Sequence, residues 1–119
     1  MDREITERRA NPRISAVFTL QGSPEDGGVV ARMEASCLSL SGLRCISTAD
    51  FAEMTRLAVR LQLPIDGNGQ TESVDIRAVV VRRQEIPSAT QNEPRYELAL
   101  FFAELEEDSR DRIARFIDR

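Results

Sequence analysis

Between Ile14 and Leu20, apolar and small side chains recur at every second position, with Ile14, Ala16, Phe18 and Leu20 on one face. That period predicts a β-strand over 14–20. The run Gly22-Ser-Pro-Glu-Asp-Gly-Gly28 is dense in turn formers. After it, Val29, Ala31, Met33, Ala35 and Cys37 alternate with Val30, Arg32, Glu34 and Ser36, so the two segments read as a β-hairpin. A Ser-Leu-Ser-Gly break at 39–42 leads into a short strand, Leu43 to Ile46, and a short helical connector is expected near Asp50 to Met54.

A second hairpin follows. Leu57, Val59, Leu61 and Leu63 alternate with polar or small residues up to Pro64, and Asp66-Gly67-Asn68-Gly69 makes the turn. Its partner is Ser73 to Arg83, with Val74, Ile76, Ala78 and Val80 on one face, and a polar loop leads on to a strand from Tyr96 through Phe102. The tail changes period. Leu105, Ile113, Phe116 and Ile117 form a helical stripe, and Glu106–Arg110, Asp108–Arg112 and Asp111–Arg115 are spaced as i, i+4 ion pairs. The acidic residues at 104–108 belong to the helix start, where the dipole favours negative charge.

Six short strands and one late helix predict a mostly β protein, a small closed barrel with a C-terminal amphipathic α-helix, because closure removes exposed strand edges. At 119 residues, 41% of them hydrophobic and 30% charged, the chain has the size and make-up of one globular domain. No stretch reaches the ~20 apolar residues of a spanning helix, and the first residues lack a secretory apolar core. A cytoplasmic protein without membrane insertion is therefore expected, and in that compartment Cys37 and Cys45 read as buried free thiols.

Charge narrows the chemistry. All 16 basic residues are Arg, none is Lys, and the net charge is −4, which disfavours broad attraction to DNA or RNA. Any anion site must be local, and Arg suits one because its planar fork grips phosphate oxygens or a guanine edge at two points. There is no His, no Cys-x-x-Cys and no Lys-terminated phosphate loop. The usual general bases, zinc sites and nucleotide-hydrolysing loops are thereby absent, so the chain reads as a binding protein and not an enzyme, with no cofactor or metal.

Two features carry the binding chemistry. Glu7-Arg8-Arg9-Ala10-Asn11-Pro12-Arg13 concentrates three guanidiniums in a segment that Pro12 keeps from being helical. Residues 1–13 are accordingly expected to form a flexible arginine-rich arm and 14–119 the barrel and helix. In Cys37-Leu38-Ser39-Leu40-Ser41-Gly42 a strand end runs into a turn, where a hydroxyl and a glycine backbone could approach an anion. Each has a bland reading as well, a solvated charge cluster and an ordinary turn; the Arg-x-x-x-Arg spacing recurs at Arg56/Arg60 and Arg115/Arg119.

Taken together, Arg9-x-x-x-Arg13 followed by Cys37-x-Ser39-x-x-Gly42 resembles the PilZ domain, the bacterial receptor family for cyclic di-GMP, whose signature is Arg-x-x-x-Arg and then Asp/Asn-x-Ser-x-x-Gly. Leu57 to Pro64, Val79 to Arg83, Tyr96 to Phe102 and the closing acidic helix extend the likeness over nearly the whole chain. The resemblance implies a six-stranded antiparallel barrel. It also implies that Arg9 and Arg13 clamp cyclic di-GMP, with Ser39 and the backbone around Gly42 completing the cradle. Arg8 would offer a further guanidinium to a second, stacked ligand molecule. Cys37 stands where the family pattern has Asp or Asn, and a thiol is a poor hydrogen-bonding substitute. Two functions follow from this: a cyclic di-GMP receptor whose arm moves on binding and signals to an unidentified protein effector, or a degenerate PilZ-like protein-interaction module that binds no nucleotide.

Overall fold

The alternation of apolar positions builds six antiparallel strands: β1 (Arg13–Pro24), β2 (Ala31–Ser39), β3 (Gly42–Ser47), β4 (Arg56–Ile65), β5 (Gln70–Ile86) and β6 (Arg95–Glu104). They are followed by helix α1 (Glu107–Ile117). A computed structural model describes residues 13–65, 69–87 and 94–118; Arg8, Arg9 and most of the expected arm, together with Asp66-Gly67-Asn68, lie outside the described residues. The strands close in the order β1-β2-β3-β6-β5-β4, with β4 pairing back onto β1. The result is the expected six-stranded closed barrel with a C-terminal helix.

The inward face is the one the pattern marks. Leu57, Val59, Leu61 and Leu63 from β4 and Val74, Ile76, Ala78 and Val80 from β5 are all buried, as are Leu20, Met33, Leu38, Cys45 and Leu98. Closure makes every strand a central one, so side chains on the inner face leave water entirely, at about 25 cal/mol per Å² of apolar surface. α1 contributes Ile113, with no exposed surface, to the same core, and Phe116 meets Phe18 edge-on at 6.0 Å between ring centroids. Among the described residues no helix is long and apolar enough to cross a membrane.

Several elements depart from the expected bounds. β1 continues past Leu20 through Gly22 to Pro24, so the Gly22–Gly28 turn shrinks to its second half; only Gly27 and Gly28 there have positive φ, 103° and 138°. Gly22 stays in the ladder between Ala31 and Val59, and a Cβ on it would meet the Met33 terminal methyl at 2.5 Å. β2 starts at Ala31, leaving Val29 and Val30 exposed, so Val29 is not on the core face. β4 runs through Pro64, and β5 is far longer than Ser73 to Arg83.

The helical connector at Asp50–Met54 does not form. Its backbone pairs with β5 instead: the Met54 amide donates to Val80 O at 2.6 Å, and the Val80 amide to Thr55 O at 3.0 Å. Phe51 is buried in the core, Asp50 is held by Arg83, and Met54 adopts a left-handed φ of 74°. Arg83 also lies 4.9 Å above the Tyr96 ring, and its guanidinium holds the Asp50 carboxyl below the usual carboxylate range.

The helix begins at Glu107, so Leu105 precedes it while still packing on the core. Of the three i, i+4 spacings only Asp108–Arg112 closes, at 3.1 Å; Arg112 also reaches Glu72 on β5 at 3.3 Å.

The helix is docked by two buried side chains, Ile113 and Ser109, with Phe116 and Ile117 packed at the edge of the core. Ile113→Ala is expected to lower the unfolding free energy by about 2–5 kcal/mol in urea titration, whereas Val29→Ser, at an exposed hairpin tip, stays within about 0.5 kcal/mol of wild type.

Candidate ligand-binding site

Two neighbouring irregularities bring the predicted residues together. In the β1–β2 ladder, Ser15 pairs with Cys37 but Phe18 with Ala35, so β1 carries one extra residue. In the β2–β3 ladder, Ala35 pairs with Cys45 but Cys37 with Arg44, so β2 carries one extra residue as well. A β-bulge of this kind reverses which residues face inward beyond it. Met33 and Ala35 point into the core, yet two positions on Cys37 is only half-buried, and Leu38 takes over the inner face with no exposed surface. The expectation that Cys37 continues the Ala31-Met33-Ala35 face as a buried thiol is therefore corrected. Cys37 lines an outer-surface cavity of about 250 Å³ together with Ser39, Ser41, Gly42, Arg44, Val81 and Phe101.

The Ser39–Gly42 turn forms one wall of that cavity. Ser39, 8% exposed, accepts a hydrogen bond from the Ser41 amide at 3.1 Å, and its hydroxyl lies 3.0 Å from Ser41 Oγ and 3.3 Å from Gly42 O. The turn is pinned to β6 by the Phe102 amide, which donates to Ser41 O at 2.9 Å. Gly42 has an intramolecular reason for its identity: a Cβ there would sit 2.1 Å from Leu100 O and 3.3 Å from Phe101 Cα. It is the close approach of β3 to β6, and not a positive φ, that requires glycine.

Arg13 opens β1, and its backbone pairs with Ser39. The first strand therefore begins beside the Ser39–Gly42 turn. Of the predicted site residues, Cys37, Ser39 and Gly42 line one cavity, the Arg13 backbone adjoins it, and Arg8 and Arg9 lie outside the described residues.

The sequence did not mark Arg44, Val81, Ala99 or Phe101, which also line this cavity. Val81 is there because it is the extra residue of a bulge in β5, between the Val80–Leu100 and Arg82–Ala99 pairs. Phe101 could have been suspected as the odd-parity aromatic beside inward-facing Leu100 and Phe102. A larger cavity, about 580 Å³ around Gly22, Val30, Arg60, Asp75, Arg77 and Glu104, contains none of the predicted residues. Its cations are already engaged, Arg60 with Asp75 at 2.7 Å and Arg77 with Glu104 at 3.3 Å. Among the described residues no group of three or more His, Cys, Asp or Glu side chains is arranged to hold a metal.

The family model of the PilZ domain matches residues 7–119, spanning both the arginine segment and the whole barrel. The chain belongs to the PilZ domain family. Its fold is shared with solved PilZ proteins. The inhibitor of motility MotI/DgrA of Bacillus subtilis is 19% identical, with a TM-score of 0.69, covering 92% of this chain and 48% of that one. The PilZ domain of YcgR from Escherichia coli, solved with c-di-GMP, is 21% identical with a TM-score of 0.68, covering 93% of this chain and 89% of that one. PlzA from Borreliella burgdorferi, also solved with c-di-GMP, is 13% identical with a TM-score of 0.60, covering 98% and 54%. The chain thus spans about half the length of MotI/DgrA and of PlzA. A search of curated protein sequences gave no match.

In this PilZ barrel two measurements test the local physics. Gly42→Ala forces a methyl against a backbone carbonyl that cannot rotate away, and is expected to cost at least ~1–3 kcal/mol in denaturant unfolding; Ser39→Ala, which leaves the Ser41 amide without its acceptor, costs about 1 kcal/mol. The Cys45 thiol is raised from 9.0 to about 12 by burial, and secondarily by the Glu97 carboxylate. Because the folded form holds its proton longer than the unfolded one, this contribution is complete below the unfolded pKa and lost as pH rises towards 12. Stability should fall by up to ~1.4 kcal/mol per pH unit within that window, a slope that Cys45→Ala removes.

Proposed function

We propose that this chain is a cyclic di-GMP receptor domain, non-enzymatic and acting in the cytoplasm, in which residues 1–13 form an arm that closes on the ligand against the barrel. The observation that carries the reading is the strand register: β1 begins at Arg13 opposite Ser39, so the barrel starts beside the Ser39–Gly42 turn. In this reading Arg9 and Arg13 hold the phosphates and guanine edges by two-point contacts, while Ser39 and the crowded Gly42 keep the turn in one shape. Arg8 supplies a further guanidinium for a second, stacked ligand. The match of the family model and the c-di-GMP bound in the YcgR and PlzA structures support it.

Binding would order the arm and change the surface offered to an unidentified protein effector, with no part for DNA, RNA or membrane insertion. Cys37 supports a second reading, a PilZ module that has given up the nucleotide and works through protein contacts alone. The bulge turns this thiol towards the cavity, where a carboxylate or amide would hydrogen-bond a guanine far better.

Calorimetric titration of the full chain with cyclic di-GMP separates the two. The receptor reading expects saturable binding that Arg9→Ala and Arg13→Ala each weaken, and that Cys37→Asp tightens by roughly ten- to a hundred-fold, the equivalent of one charge-assisted hydrogen bond of about 1.5–3 kcal/mol. No heat at high micromolar ligand would leave only the protein-interaction module.

A further inference from the structure

Beyond the turn, the outer face of β3, β6 and β5 is laid out in register. Gly42 pairs with Phe101, which pairs with Val79; in the next outward-facing row Arg44 pairs with Ala99, which pairs with Arg82; in the third Ile46 pairs with Glu97, which pairs with Gln84. With strands ~4.8 Å apart, the two arginine backbones stand ~10 Å from each other across the small Ala99. Both side chains are exposed, and neither has an ion-pair partner among the described residues. The turn cavity continues past Arg44 and Ala99 into a second of about 220 Å³ that adds Arg82, Gln84 and Glu97. Within the turn cavity Phe101 and Val81 are each half exposed, at 51% and 50%.

We propose that the nucleotide site extends down this outer face, with a guanine base resting on Phe101 and a phosphate held between Arg44 and Arg82. The inference rests on the receptor reading above and adds contacts that the Arg9, Arg13, Ser39 and Gly42 set does not supply. Its physical basis is complementary chemistry over a short distance. An exposed aromatic face takes a purine ring by stacking, and unpaired guanidiniums lose no existing ion pair when they engage a phosphate. The bulge at Val81 is what sets Arg82, rather than Val81, opposite Ala99. Ala99 is the one position between the two arginines, and its single methyl leaves the gap open. Glu97 lies one row beyond Ala99, further from the turn, so its carboxylate bounds the trough at the end away from Phe101.

The test is calorimetric titration of the full chain with cyclic di-GMP for wild type and for Arg44→Ala, Arg82→Ala, Ala99→Leu and Phe101→Ser, with Arg32→Ala as the charge control. Arg32 is exposed on β2 opposite Gln21 and lines neither cavity. The expected result is a loss of roughly ten- to a hundred-fold in affinity for each arginine variant and a clear loss for Ala99→Leu, which changes no charge, with Arg32→Ala at the wild-type value. Wild-type affinity in the Arg44 and Arg82 variants would overturn this extension while leaving the receptor reading intact. So would an equal loss in Arg32→Ala, which would mark a bulk charge effect. A wild-type chain that takes up no cyclic di-GMP removes the receptor reading and the extension with it.

Discussion

A closed barrel buries every second side chain of each strand and turns those between them outward, so moving a given residue from one side to the other takes a break in that period. In this chain the break falls in β1 and β2 at the same level, where one strand carries an extra residue opposite Ser36 and the other an extra residue opposite the Cys45–Arg44 step. Below it, Phe18, Met33 and Ala35 fill the interior; above it, Leu38 does, and Cys37 is released to the outside. The core loses nothing, because an inward leucine replaces an inward thiol. The site depends on this shift, since without it Cys37 and its neighbours would be committed to the interior.

The same economy governs the turn that follows. Ser39 spends its hydroxyl on the turn itself, Ser41 ties the turn to β6 through its carbonyl, and Gly42 lets β3 lie against Leu100 where no side chain would fit. These residues of the signature are explained first as architecture. They make one wall of the candidate site, beside the start of β1.

Electrostatics divides the barrel surface. Around the 580 Å³ cavity the arginines are held in ion pairs, Arg60 with Asp75 and Arg77 with Glu104 and Glu25, and Arg83 is held by Asp50 and Tyr96. Pairs as exposed as these add little stability, but they leave no free guanidinium for an anion. The outer face of β3 and β5 is different, since Arg44 and Arg82 stand beside the turn without carboxylate partners among the described residues.

The sequence by itself determined the number of strands and their succession along the chain, the inward faces of β4 and β5, the late amphipathic helix and the presence of both an arginine segment and a Ser-x-x-Gly turn, because periodicity and turn chemistry are written locally. It misplaced Val29 on the core face, ended β1 too early, and predicted a helix at Asp50–Met54. Those positions are decided by partners distant in the chain: Gly22 by Val59, and Met54 and Thr55 by Val80. Bulges, too, exist only between strands. The tertiary structure alone therefore decided that Cys37 faces outward, that Arg13 enters beside Ser39, and that Arg44 and Arg82 stand on either side of Ala99, because register is a property of paired backbones and not of any one segment.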